Sequence, residues 1–127
     1  MSRVLIVDDE QSMRQMVAIA LRQDGHDVVT AEDGEVAARE LDANRVDVVV
    51  SDIKMPGFDG IQLLRYAREH CPETEVILMT AYTSTESAIE ALRLGAYDYI
   101  SKPFEIDELK VTVQQAVERR ALRNENR

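Results

Sequence analysis

Five short runs rich in β-branched and aliphatic residues punctuate the chain, at 4–7, 27–30, 47–50, 76–79 and 97–100. Longer stretches with a helical period separate them. The first, third and fourth runs are nearly continuous in apolar residues, as expected of strands covered on both faces, so these three are predicted to be central. Between the runs, Met13, Met16, Val17, Ala20 and Leu21 recur at spacings of three and four and predict one face of a first helix, with Gly25 as its stop. Val36, Ala37 and Leu41 predict a second helix after Asp33-Gly34. Ile61, Leu64 and Ala67 predict a third from about Gly60, which Pro72 cannot continue. Thr83-Ser84-Thr85-Glu86 has the capping-box pattern and opens a fourth, with Gly95 suited to a left-handed C′ position. Ile106, Leu109, Val113 and Val117 stripe a fifth, whose end at 118–127 becomes highly charged while staying helix-compatible.

Strands alternating with helices in this way predict a parallel α/β sheet. A (βα)5 chain with right-handed crossovers has few topologies open to it, and the flavodoxin-like, doubly wound order 2-1-3-4-5 is the expected one. Such sheets bind ligands outside the carboxyl ends of the strands, at the switch point between strands one and three.

Composition narrows the function classes. With 127 residues, 45% of them hydrophobic and 31% charged, the chain can bury one core without staples, and a single domain is expected. A net charge of −9 would repel a polyphosphate backbone, so direct nucleic-acid binding is not expected. The apolar runs are far too short to span a bilayer. Met1-Ser2-Arg3 leads straight into the first run with no room for a signal peptide, and Cys71 is the sole cysteine, so a cytoplasmic location is expected and cysteine-cluster zinc sites are excluded. Cys71 itself reads as a small filler before Pro72.

Chemistry gathers at the predicted rim. The first run ends in Asp8-Asp9-Glu10 and the third in Ser51-Asp52, so the topology brings three aspartates together from positions more than forty residues apart. Like charges so crowded raise one another's pKa unless a cation compensates, and oxygen-only ligands select Mg²⁺ or Mn²⁺. Each aspartate alone would more simply be a helix cap or turn former. The fourth run ends in Thr80, whose hydroxyl can donate to a phosphoryl oxygen, and the fifth is followed by Lys102, whose ammonium can neutralise it. Alone, Thr80 would merely cap a turn and Lys102 would be a solvated charge. Four strand ends supplying such groups at one rim point instead to phosphoryl chemistry.

Val-Asp-Asp-Glu at 7–10, Ser-Asp-Ile-Lys-Met-Pro-Gly-Phe-Asp-Gly at 51–60, Met-Thr-Ala at 79–81 and Ser-Lys-Pro-Phe at 101–104 resemble, in order, the signatures of the receiver domains of bacterial two-component response regulators. The resemblance covers essentially the whole chain. It implies a receiver domain over 1–120, with 121–127 starting a helical linker or C-terminal tail. It implies Asp52 as phosphate acceptor, Asp8, Asp9, Asp52 and the Lys54 backbone carbonyl as Mg²⁺ ligands, and Thr80 and Lys102 as phosphoryl-binding groups. It further implies a cis Lys102–Pro103 bond, a switch through Thr80 and Tyr99 (with Tyr97 as rival), and tuning of the phosphoryl lifetime by Lys54 and Tyr82. Both of these are bulky, so a lifetime longer than seconds is expected. Partners implied are a sensor histidine kinase or phosphotransfer protein, a second copy of the chain in a phosphorylation-dependent homodimer, and a C-terminal output domain. The family assists its own phosphotransfer and dephosphorylation but is regulatory. Asp-Ile-Lys-Met-Pro-Gly and the charged, Asn/Glu-rich end resemble receivers that precede the ATPase domain of nitrogen-regulator-type transcription activators.

Three other readings compete. A small Mg-dependent aspartyl phosphohydrolase would use the same acids and lysine, but haloacid-dehalogenase-like enzymes need an Asp-x-Asp spacing after strand one, which adjacent Asp8-Asp9 does not offer. A flavin carrier would need a Ser/Thr/Gly-rich phosphate loop there. A module that never accepts phosphate would typically have lost an acidic or lysine position. His26 and His70 read as ordinary surface or turn residues.

Overall fold

The computed structural model describes residues 2–81 and 85–125. β1 (Arg3–Val7), β2 (Asp27–Ala31), β3 (Val48–Asp52), β4 (Glu75–Thr80) and β5 (Asp98–Ser101) alternate with α1 (Gln11–Gln23), α2 (Gly34–Ala43), α3 (Gly60–His70), α4 (Thr85–Arg93) and α5 (Ile106–Glu125). The strands form one parallel sheet in the order β2-β1-β3-β4-β5. This is the expected flavodoxin-like topology, with the three most apolar strands in the middle.

Each face of the sheet carries its own core. Leu5, Val7, Val49 and Leu78 pack with Ala37 and Leu41 of α2, Leu63, Leu64 and Ala67 of α3, and Ala91 of α4. Val4, Ile6, Val48, Val50, Ile77 and Met79 point the other way, onto Val17, Ala18 and Leu21 of α1 and Leu109, Val113 and Ala116 of α5. Alternation of side chains along each strand divides them between the faces. Each fully buried Leu or Ile contributes roughly 1.5–3 kcal/mol relative to exposure, which makes the two cores the main source of stability.

Capping fixes the helix starts. The Asp33 carboxylate accepts from the Val36 N–H at 2.9 Å. Asp59 and Gln62 form a reciprocal capping box that starts α3. Gly95 follows α4 with φ +105°, in the left-handed region. The capping box predicted at 83–86 begins outside the described residues.

Several expectations need correction. Met16 is 47% exposed, while its neighbour Ala18 is buried. The α1 face therefore lies one step round from the predicted stripe, with Met13 half-covered at its border. Leu63, not assigned to the core from the sequence, is fully buried beside Leu64. Asp47 and Tyr97 stand just before β3 and β5 instead of inside them. His26 is buried, its Nε2 without a hydrogen-bond partner, and only His70 is a surface histidine.

Candidate functional site

Sheet register brings the chemistry together. Val7 pairs with Ser51, and Asp52 with Met79, so β1, β3 and β4 end at nearly the same height. One residue beyond β1 stands Asp8, fully buried, with its backbone N–H donating to the Ala31 carbonyl at 3.2 Å. Asp9 is exposed, and Asp52 is 8% exposed. Ligand oxygens of Asp8, Asp9 and Asp52 all lie within 4.8 Å of one another.

Lys102 enters this group from the far side. Its Nζ is 3.2 Å from Asp8 Oδ2 and 3.3 Å from Asp52 Oδ2. Its backbone N–H donates to the Thr80 carbonyl at 2.7 Å, which ties the β5 loop to the end of β4. The Lys102–Pro103 bond is cis. Thr80 is buried at the rim. The Lys54 backbone donates a hydrogen bond to the Asp52 carboxylate. Tyr99 is half-buried in β5, opposite Leu78, and packs on the core face that contains Leu78. Tyr97 packs on the other face, under the Arg119 guanidinium. Tyr82 lies outside the described residues.

The electrostatics reflect the crowding. Burial pushes the Asp52 carboxyl above its ordinary range; Lys102 pulls it back, Asp8 adds to the rise, and the balance stays upward. For Lys102, burial lowers the ammonium pKa, but Asp8 and Asp52 outweigh it and the net shift is upward. One ammonium facing three carboxylates leaves two negative charges. An all-oxygen donor set with that residual charge fits a hard divalent cation such as Mg²⁺.

Supporting residues were less visible from the sequence. Asp8 is held by its own surroundings, because the Glu10 N–H donates to its Oδ1 at 2.9 Å and Arg14 Nη1 donates to its carbonyl at 2.7 Å. Gly60 lets α3 approach β3: a Cβ there would overlap the Asp52 carbonyl and sit 2.7 Å from the Ile53 Cα. The Gly60 N–H donates to the Ile53 carbonyl, and the Ile53 N–H to Met79. Backbone contacts of this kind carry no residue-type signal beyond the glycine.

A sheet with this strand order and acids and lysine at its switch point defines the class of small doubly wound signalling domains. The response regulator receiver domain family matches residues 4–114, and the chain belongs to that family. It is 44% identical over 126 residues to the regulatory protein AtoC of Escherichia coli K12, covering 99% of this chain and 27% of that protein. It is 40% identical over 114 residues to the transcriptional regulator NtrC of the same strain, covering 90% of this chain and 24% of that one. The chain thus spans about a quarter of the length of these curated relatives. Among solved structures, a Francisella response regulator 1452 receiver domain superposes with TM-score 0.89 at 39% identity, over 94% of this chain and 98% of that one. NtrX from Brucella abortus superposes with TM-score 0.91 at 35% identity, over 98% of this chain and 28% of that one. These relatives agree with the nitrogen-regulator-type resemblance. Among the described residues no helix is long and apolar enough to cross a membrane.

Proposed function

We propose that Asp52 accepts a phosphoryl group from a phosphohistidine on a partner sensor kinase, or from a phosphotransfer protein, and that the chain acts as a switch for an output domain controlling transcription. The observation that supports it best is the placement of Asp52: shielded from bulk water, with Lys102 bridging it to Asp8 and Asp9 within ligand distance.

Asp8, Asp9, the Asp52 carboxylate and the Lys54 backbone carbonyl would hold Mg²⁺, with Mn²⁺ as substitute. When bound, the cation supplies positive charge against the phosphoryl oxygens and the acid cluster. Asp52 already carries the nucleophilic oxygen and needs no general base. Its carboxylate forms the new O–P bond while the donor's N–P bond breaks; the imidazole leaves with that electron pair and takes a proton from water. Lys102 is positioned to neutralise a phosphoryl oxygen, and the Thr80 hydroxyl to donate to another.

The switch would run through Thr80 and Tyr99. The added charge draws Thr80 toward the phosphoryl group. Tyr99 takes up the space vacated, and its shared face with Leu78, two pairs before Thr80↔Ser101, favours it over Tyr97 on the opposite face. The output face would be α4, β5 and α5, in a homodimer formed on phosphorylation. We assign the receiver to 1–120 and the start of a helical linker or tail to 121–127, with Lys54 and Tyr82 setting the phosphoryl lifetime.

Acetyl phosphate or beryllofluoride added with and without Mg²⁺ tests this on wild type and Asp52→Asn, read by mass and by NMR. Modification of the wild type alone, and only with Mg²⁺, is expected. Metal-independent modification, or equal labelling of the variant, would overturn it.

A further inference from the structure

The buried stripe of α5 runs Leu109, Val113 and Ala116, and the next position at that spacing is Arg120. An apolar residue would continue the pattern there. Arg120 is instead a guanidinium whose side chain is only 7% exposed. Its Nε is 3.0 Å from Asp47 Oδ1, an ion pair at close range that is not aligned as a hydrogen bond, and its Nη2 is 3.7 Å from Glu73 Oε2. Beside it, Arg119 Nε lies 3.7 Å from Glu75 Oε2, a carboxylate whose side chain is 3% exposed.

These carboxylates stand at the entrances of the two strands whose far ends carry the site. Asp47 precedes β3, which ends in Asp52, and Glu73 and Glu75 lead into β4, which ends in Thr80. Asp47 is itself fixed, accepting the Arg3 N–H on its other oxygen at 2.8 Å, and its carbonyl accepts the Glu75 N–H at 3.1 Å. Asp47 is therefore held in place independently of Arg120. A buried ion pair contributes little net stability compared with an apolar residue, but in some proteins it selects one register or orientation among packings that apolar contacts would tolerate.

We propose that Arg120 is a positioning residue, a latch that seats the last turns of α5 on the lower rim of β3 and β4 and so fixes the direction in which the helix leaves the domain. It acts at the end of the sheet opposite Asp52 and goes beyond the phosphoacceptor reading without depending on it. Whatever follows α5 is then presented at a set angle to the sheet.

Hydrogen exchange on the full chain, unmodified at Asp52, tests the latch. In Arg120→Met, amides of 114–122 should exchange about tenfold faster or more while those of β3 and β4 keep their protection, because only the helix end is released. Arg120→Lys, which supplies one point charge in place of a fork, should fall between. A triple variant adding Asp47→Asn and Glu73→Gln removes the negative charge that faced the guanidinium: exchange that stays fast supports the latch, and exchange that returns to wild-type rates shows that excess negative charge, not lost seating, loosened the helix, and overturns it. Unchanged exchange in Arg120→Met also overturns it. Beryllofluoride with Mg²⁺ is expected to modify Arg120→Met as it does wild type; failure of wild type alone to be modified would count against the phosphoacceptor reading and leave the exchange result to decide the latch.

Discussion

Asp52 holds an upward-shifted carboxyl in the folded chain because burial and Asp8 together outweigh Lys102. Folding therefore favours its protonated form. The cost of holding it ionised is absent below its unfolded pKa, grows through the interval between the two values, and is complete above the folded one. Asp52→Asn removes that cost while keeping an oxygen for Lys102. In metal-free buffer the variant should be more stable than wild type at about pH 8, with the gap closing toward about pH 4. Urea unfolding at the two pH values measures it, and an Asn variant less stable than wild type at the higher pH would show that the lysine, not burial, governs Asp52.

At the scale of elements, the close approach of α3 to β3 places the loop that carries Asp52. Gly60→Ala would drive a methyl into the Asp52 carbonyl and the Ile53 Cα, both backbone atoms that cannot swing aside. A loss of about 3 kcal/mol is expected in denaturant unfolding, with weaker modification of Asp52 than a surface Gly→Ala at Gly57 would give; Gly57, at φ +71° with open space round it, costs only backbone strain. The sheet itself was legible in the sequence because β1, β3 and β4 are apolar on both faces and cannot be read as anything half-exposed. The α1 register was less so. Met13, Met16, Val17, Ala18, Ile19, Ala20 and Leu21 offer more apolar positions than one face needs, and which of them a neighbouring element covers is decided by tertiary packing; Met16 and Ile19 were left outside. In the site, Asp8, Asp9, Asp52, Thr80 and Lys102 were visible because strand ends announce themselves by residue type. Arg14, which reaches a carbonyl, and Glu10, which offers its N–H, were not, since backbone contacts can be made by almost any residue. His26 was misjudged because a single histidine after a helix stop carries no sign of what later packs over it.

For the whole molecule, a net charge of −9 with three carboxylates concentrated at one rim makes stability a function of the cations supplied there. Lys102 is the built-in one. Its folded pKa is raised, so its contribution is fully present below the ordinary lysine range and is lost only as pH climbs through the folded value. Lys102→Met leaves buried Asp8 facing Asp52 uncompensated, and should cost about 3 kcal/mol at neutral pH in metal-free buffer. The same substitution removes a competitor for the acid cluster, so Mg²⁺ should bind the variant more tightly and restore more stability than it adds to wild type. Mass action gives about 2.7 kcal/mol when the free cation is a hundredfold above its dissociation constant, enough to recover most of the loss. Thermal unfolding across a Mg²⁺ series reads both effects at once: Tm should climb with concentration in each protein and more steeply in the variant. Flat curves for both would mean that the acids, though close, do not hold a divalent ion. Parallel curves would mean that Lys102 and the cation occupy the rim independently, so that the lysine does not act as the cation's substitute in the resting domain.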